Sequence, residues 1–336
     1  MAGDRDLAVS LLQAYSHLRP PPRTGWEMTA ATGVRGLRLL VEAGPFDAFT
    51  FTEANPEAAR VLLENVRPRP EARVLCSDAR RLPDDAPFDY VDLDPYGTPA
   101  PFLAAALDAV RPGGLLAVTA TDMMVLAGVQ PGACERRYGA QPIRGRLGPE
   151  GGLRILLAYL AQTAREHGRS IRPLLCYVRD HHVRASVEVG GPGSVPDPVG
   201  RIDPASWSGP SVGDRGPYGP LWLGPLFDRE LVLSLRVPAT AARPREVEGF
   251  LERVRDEVSA DVPFYYEANA LAAALDLAEP PGLAALLGAL RDEGHRAART
   301  HARPEGFRTD APRTRVEALA RRLSGAAQSQ KARVRA

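Results

Sequence analysis

The chain has 336 residues and a formal net charge of +1, so it is long enough for two domains and has no overall charge that would favour polyanions. Its cysteines, Cys76, Cys134 and Cys176, have no paired spacing, which argues against a disulfide framework and a four-thiolate zinc site. No apolar run approaches the ~18 residues of a membrane span, and the charged start is not a signal peptide. We therefore expect a cytoplasmic protein without a membrane partner, a bound metal or an obligate protein partner.

Strands and helices alternate through the first half of the chain. The predicted strands are 26–31, 49–53, 73–76, 90–94 and 115–120, and the predicted helices are 7–18, 37–41, 56–65, 101–110 and 153–167. A turn is predicted at 111–114, and strands 171–178 and 183–189 then close the sheet with a hairpin at 179–182. Strands and helices at this spacing form βαβ units, so the predicted fold is α/β with a doubly wound, mostly parallel sheet. The adjacent histidines of the hairpin, His181 and His182, are expected to be exposed polar residues.

The second half of the chain has a different pattern. The sheet domain is expected to end at residue 190, and the Gly-, Pro- and Ser-rich residues 191–216 are predicted to be a linker or a surface loop. In 217–336, helices near 243–258, 267–274 and 282–293 precede two short strands within 296–308, which indicates a smaller, winged-helix-like α+β domain. From Arg291 to the end, twelve basic and five acidic residues give a net charge of +7. This suggests a surface that faces nucleic acid, with a solvated helix and tail as the alternative.

The stretch Asp94-Pro95-Tyr96-Gly97 stands where the strand that begins at Tyr90 ends. Proline and glycine prevent regular structure here, and ligands of open α/β sheets bind outside the carboxyl ends of the strands. The ring of Tyr96 can stack on a planar group while the carboxylate of Asp94 accepts an N–H from it. The alternative is that Asp94 caps the next helix.

Three other strand ends carry residues suited to a nucleotide-like ligand. Gly33 and Gly36 allow close approach of a ligand to the backbone, Glu53 can hold ribose hydroxyls, and Asp78 with Ala79 can meet an adenine amino group. The first turn lacks the dense glycine pattern that a dinucleotide pyrophosphate needs. A ligand with ribose and adenine but no phosphate fits better, and S-adenosylmethionine is such a ligand.

Several motifs together resemble the tRNA guanine-N2 dimethyltransferases, which act at guanosine 26 of tRNA. The motifs are residues 30–36, 92–99, 118–122, 218–226, 263–266, 299–301 and 306–312. The resemblance implies a class I, Rossmann-like methyltransferase domain, S-adenosylmethionine as cofactor, and a C-terminal domain that binds tRNA.

The resemblance also implies roles for individual residues. Asp94 matches the general base and Tyr96 matches the aromatic that stacks on guanine, which is usually Phe in the family. The residues that match the cofactor contacts are Arg5, Arg35, Glu53, Asp78 and Ala79. The residues expected to contact tRNA are Pro95, Arg299, Arg303 and Arg308.

Two family features have no counterpart in the sequence. One is an upstream Phe-Tyr-Asn-Pro stretch whose aromatic stacks on the other face of the base, so we expect either a late annotated start or another stacking partner. The other is the metal-binding cysteine clusters of some relatives. The residues alone leave three other functions open. The first is an amino methyltransferase acting on DNA adenine or protein, and the second is a nucleotide-binding oxidoreductase, which the sparse glycines disfavour. The third is a non-catalytic RNA-binding relative.

Overall fold

The computed structural model of the chain describes residues 2–191 and 197–335, with side chains described as far as residue 325. Its largest element is a seven-stranded sheet. The strands are β1 Thr24–Glu27, β2 Ala48–Glu53, β3 Ala72–Cys76, β4 Phe88–Leu93, β5 Val110–Ala120, β6 Ser170–Arg179 and β7 His182–Gly190. Their order is β3–β2–β1–β4–β5–β7–β6, with the first five parallel and the last two antiparallel. The predicted α/β sheet closed by a hairpin is confirmed.

Helices cover both faces of this sheet. They are α1 Ala2–Leu18, α2 Val34–Glu42, α3 Pro56–Val66, α4 Leu103–Ala109, α5 Met123–Leu126, α6 Pro131–Tyr138 and α7 Gly148–Glu166, with a 3₁₀ turn at Ala100–Phe102. Helix α1 packs against α2, and α4 packs against α7. Consecutive residues of β4 and β5 are buried, as expected for strands that are covered on both sides.

Two local predictions for the sheet are wrong. The first strand ends at Glu27 rather than Ala31, because residues 28–31 leave the ladder of hydrogen bonds. They keep one backbone hydrogen bond to each neighbouring strand: Met28 N–H donates to the Asp92 carbonyl and Ala30 N–H donates to the Thr52 carbonyl, both at 2.9 Å. The turn predicted at 111–114 lies inside β5, where the pairing with β4 shifts register.

The segment predicted to be a linker or loop contains a strand. β8 Val199–Ile202 pairs antiparallel with β9 Tyr218–Trp222, whereas 192–196 lie outside the described residues. A four-residue strand that contains a glycine and an arginine has no periodicity by which sequence could reveal it. One hydrophobic core runs from Leu7 to Tyr265 and a smaller one from Tyr266 to Ala320, and the division into three segments stays a prediction.

The C-terminal part combines helices with a small antiparallel sheet. The helices are α8 Arg229–Ser234, α9 Pro244–Glu257, α10 Ala268–Ala274, α11 Leu283–Asp292 and α12 Arg313–Arg335, with a 3₁₀ turn at Val258–Ala260. The strands are β10 Tyr266–Glu267, β11 Ala297–Arg299 and β12 Gly306–Thr309, in the order β10–β12–β11. The predicted helices and hairpin are present, and the third strand is additional. Within the described ranges, we find no helix with the length and apolar character needed to cross a membrane.

Candidate functional site

A cavity of about 810 Å³ opens at the carboxyl ends of the parallel strands. The predicted site residues that line it are Arg35, Glu53, Asp78, Ala79, Asp94, Pro95 and Tyr96. These residues follow four different strands, and they meet because parallel strands end at the same edge of a sheet.

The turn after β4 presents an acid and an aromatic ring from a fixed backbone. Asp94 N–H donates to Thr29 Oγ1 at 3.2 Å. Gly97 N–H donates to Thr121 Oγ1 at 2.8 Å, and Thr121 N–H donates to the Gly97 carbonyl at 2.9 Å. Gly97 has φ of 86°, a left-handed conformation that glycine adopts without strain. The Tyr96 ring is fully exposed, with a relative exposure of 104%.

The alternative in which Asp94 caps the next helix is not realised. The 3₁₀ turn that follows has Pro99 at its N-cap position and no side-chain cap. The Asp94 carboxylate instead accepts a hydrogen bond from Arg35 Nη2. The acid is therefore held at the cavity wall.

A buried ionic cluster lies beneath the turn. Arg184 donates to Asp92 Oδ2 at 2.5 Å, Tyr90 Oη donates to the same oxygen at 2.5 Å, and Arg35 Nη1 lies 3.8 Å from it. Burial would raise the pKa of Asp92, but Arg184 and Arg35 outweigh it and hold that pKa below its usual value. Arg35 is only 8% exposed, and its Nη1 atom makes no hydrogen bond among the described residues.

Glu27 is a buried acid next to this ionic cluster. Burial, followed by repulsion from Asp92, raises the pKa of Glu27 to about 8, so the acid is protonated at neutral pH. Its Oε2 atom accepts the Gly36 N–H at 3.1 Å. A Cβ at residue 36 would stand 2.7 Å from Oε2, so glycine is required for this approach.

The other end of the cavity carries Glu53 and Asp78. Glu53 accepts hydrogen bonds from the Ala31 N–H and the Asn55 N–H, each at 2.8 Å. These bonds fix the orientation of the carboxylate, and its other lone pairs remain able to accept hydrogen bonds from a ligand. Asp78 accepts the Arg80 N–H at 2.9 Å, and hydrogen bonds from the Arg80 side chain and backbone lower the pKa of Asp78 to about 2. At the edge of the sheet, Cys76 pairs in register with Glu53 and is exposed.

A family model described as N2,N2-dimethylguanosine tRNA methyltransferase matches residues 1–194 and 212–321. The chain belongs to this family. It is 33% identical to the tRNA (guanine(26)-N(2))-dimethyltransferases of Thermococcus kodakarensis and Pyrococcus abyssi, over 93% of this chain and 89% of each relative. The structure of Trm1 from Pyrococcus horikoshii with S-adenosyl-L-methionine matches with a TM-score of 0.83 and 29% identity, over 95% of this chain and 92% of that one. The class I methyltransferase fold is thereby confirmed.

Several lining residues of this family member were not predicted from its sequence. Asp4 on α1 is 2% exposed, and its Oδ1 lies 3.2 Å from Nε2 of His182. Both residues line the cavity, as does Arg184. The expectation that His182 is exposed is wrong, since its side chain is only 13% exposed, whereas His181 is exposed. Arg5 is half-buried beside Asp4 and is not among the lining residues found in the described ranges.

The residues predicted to contact tRNA have unequal access to solvent. Arg299 on β11 and Arg303 in the loop after it are exposed, and Arg303 lies 3.7 Å from Glu267. Arg308 is fully buried, donates to Glu150 at 2.9 Å and also bonds Glu257. It has no open path to an RNA phosphate, so the predicted tRNA contact of Arg308 is wrong.

Much of the basic charge near the C-terminus is paired. Up to residue 325, four ion pairs join arginines to acids of the same region: Arg296 with Asp310 at 2.9 Å, Arg313 with Glu317 at 2.7 Å, Arg315 with Glu293, and Arg322 with Glu293 at 3.8 Å. These acids are already counted in the formal charge of +7. Acids outside the segment reduce that charge further, because Asp256 lies 3.5 Å from Arg291, Glu267 lies 3.7 Å from Arg303, and Arg308 bonds Glu150 and Glu257. Net charge therefore does not identify the arginines that face RNA; their exposure and their partners do.

Proposed function

We propose that this chain transfers one or two methyl groups from S-adenosylmethionine to the exocyclic N2 of guanosine 26 in tRNA. The observation that carries the proposal is the pairing of Asp94 with the exposed ring of Tyr96 on one rigid turn, in a cavity that has Glu53 and Asp78 at its other end. Membership of the dimethyltransferase family and the activity for which its relatives are named support it.

The cavity suits S-adenosylmethionine in size and in its polar groups. Its volume of about 810 Å³ lies within the roughly 300–1,000 Å³ of small-molecule sites. Glu53 would accept from the ribose hydroxyls and Asp78 from the adenine amino group, with Ala79 beside the ring. The buried Arg35 Nη1 atom, which lacks a hydrogen-bond partner among the described residues, would donate to the carboxylate of the cofactor. The contact predicted for Arg5 would complete this set.

When bound, the cofactor supplies an electrophilic methyl group on a sulfonium. Guanine N2 is a weak nucleophile because its lone pair is delocalised into the ring. Asp94 would accept an N2–H, which orients the lone pair, and would take the proton as the C–N bond forms. The same carboxylate could contact N1–H, a donor that guanine has and adenine lacks.

Tyr96 would hold the base in position for this step. Extruding a base from the tRNA stack costs a few kcal/mol, and stacking on an aromatic side chain returns roughly 1–3 kcal/mol. Pro95, which is buried, fixes the backbone between the acid and the ring and would lie close to the base. Arg299 and Arg303, which are exposed, would contact phosphates of the tRNA.

Mass spectrometry of nucleosides tests the proposal. The purified protein is incubated with S-adenosylmethionine and with tRNA, DNA or protein. We expect N2-methylated guanosine from tRNA, and none when position 26 of the transcript is changed to adenosine. Methylated adenine from DNA would favour the other amino methyltransferase, and tRNA binding without any methylation would favour the non-catalytic relative.

A further inference from the structure

A second cavity of about 400 Å³ lies beside the catalytic one. Besides Pro149 at the start of α7, three segments line it: the end of β6, helix α9, and the loop between β11 and β12. Each of them contributes one arginine, namely Arg179, Arg253 and Arg303. Three guanidinium groups from separate elements around one concave space form a site suited to an anion.

The lining of this cavity has three arginines and two acids, which leaves a formal charge of +1. Glu246 is bonded to Arg179 and lies 3.5 Å from Arg243, so its charge is already matched. Asp180 is the other acid in the lining. The Arg253 side chain is exposed, and no ion pair or side-chain hydrogen bond joins it to another residue of 2–191 or 197–325. Arg253 is therefore a cation with free donors at the cavity rim.

The cavity is built on a rigid support. His301 is buried, its Nε2 accepts the Val178 N–H at 3.1 Å, and its Nδ1 lies 2.6 Å from Glu257 Oε2. These bonds fasten the β11–β12 loop to β6, which fixes Arg303 relative to Arg179. The arginines supply the positive charge of the cavity.

Asp4, Arg179 and His182 form the wall between the two cavities. Arg179 Nη1 lies 3.8 Å from Asp4 Oδ1, and His182 Nε2 lies 3.2 Å from the same oxygen. Asp4 and His182 line the catalytic cavity, whereas Arg179 lines the second one. A strand whose base enters the first cavity would therefore bring its backbone to the mouth of the second.

We propose that the second cavity binds a backbone phosphate of the tRNA strand next to the guanosine that enters the catalytic cavity. This inference rests on the proposed function. Arg253 and Arg303 donate to the phosphate oxygens, whereas Arg179, which is paired with Glu246, completes the lining. The site thereby sets the register of the strand, while Asp94 and Tyr96 read the base.

Variants that remove one charge at a time test the site. Arg253→Gln and Arg303→Gln are compared with wild type and with Arg67→Gln, a control that removes an exposed arginine just after α3, at the opposite edge of the sheet. Binding of unmodified tRNA is measured from about 50 to 200 mM salt, together with S-adenosylhomocysteine affinity and thermal midpoint as checks of folding. We expect each cavity variant to bind tRNA roughly three- to tenfold more weakly and to lose about one unit of salt slope. Arg67→Gln should match wild type.

The proposal would be overturned if Arg253→Gln and Arg303→Gln both had the same tRNA affinity and the same salt slope as Arg67→Gln. If wild type still binds and methylates tRNA in that case, the second cavity alone is misassigned. If wild type neither binds nor methylates tRNA, the proposed function fails and this inference fails with it.

Discussion

Replacing Asp94 by Asn tests the chemistry at the central turn most directly. Asn keeps the shape of the side chain and an oxygen that can accept from Arg35, but it has no negative charge and cannot take a proton. The backbone bond to Thr29 Oγ1 at 3.2 Å is independent of the side chain, and Arg35 retains Asp92 at 3.8 Å. The variant should therefore fold and keep the turn in place.

The size of the effect follows from the role of the carboxylate. Losing a general base typically costs ~10²–10⁴ in rate, which is about 3–5.5 kcal/mol of barrier. We expect single-turnover methyl transfer by Asp94→Asn, at saturating tRNA and cofactor, to fall by that factor. Affinities for tRNA and S-adenosylhomocysteine, measured separately, should stay near wild type because the ring and the cofactor end of the cavity are unchanged.

Tyr96 provides the matched control in the same turn. Tyr96→Phe should stay active because stacking needs only the ring, and Tyr96→Ala should lose roughly 1–3 kcal/mol of base positioning. If Asp94→Asn transferred methyl groups within a few-fold of wild type, another acid would have to be the base. If Tyr96→Phe were as impaired as Tyr96→Ala, the hydroxyl rather than the ring would carry the role of Tyr96.

Three further variants separate binding from stability. Glu53→Ala should weaken S-adenosylmethionine binding by about 1.5–3 kcal/mol in calorimetry, and unchanged affinity in the folded variant would reject its role at the ribose. Arg308→Ala should lower the free energy of unfolding in urea by about 3–5 kcal/mol, because two buried acids would lose their shared guanidinium; Glu150 would keep only Arg154 as a cationic partner, and Glu257 its bonds to Thr300 and His301. Lost tRNA affinity at full stability would restore the predicted RNA contact. The pKa of Glu27 is about 8 in the fold against a usual 4.5, so the stability that its proton provides is lost as pH rises between these values. The Gln side chain of Glu27→Gln stays uncharged, so the free energy of unfolding of this variant, relative to that of wild type, should increase from pH 5 to pH 8. If the difference between the two free energies of unfolding were the same at both pH values, Glu27 would already be ionised in the fold.

The sequence predicts the residues that depend on strand direction and misses those that depend on distant packing. Glu53, Asp78 and Asp94 could be assigned because each ends a parallel strand, and such ends share one edge. The contact of Asp4 with His182 joins residues 178 positions apart, through the packing of a helix against a hairpin that no local pattern describes. Ala31 illustrates the local limit: its φ of 48° is left-handed in a residue that rarely adopts this conformation, so the early end of the first strand could not be predicted.

The same distance limit explains why Arg308 was assigned to the wrong role. In the sequence it stands in a basic stretch, which favours a surface that binds RNA. Its carboxylate partner Glu150 is 158 residues away, at the start of α7. Only the folded chain shows that this arginine is fully buried.

The exposed thiol at the sheet edge makes the cofactor end of the cavity accessible to chemical labelling. Cys134 and Cys176 are buried, so a maleimide dye should attach first to Cys76 in the native protein. The thiol lies one strand away from Glu53 and two residues before Asp78. A fluorophore there would stand near Glu53 and Asp78, the proposed adenosine site, and could report cofactor binding without an engineered cysteine. A bulky label at the same atom could obstruct that end of the cavity.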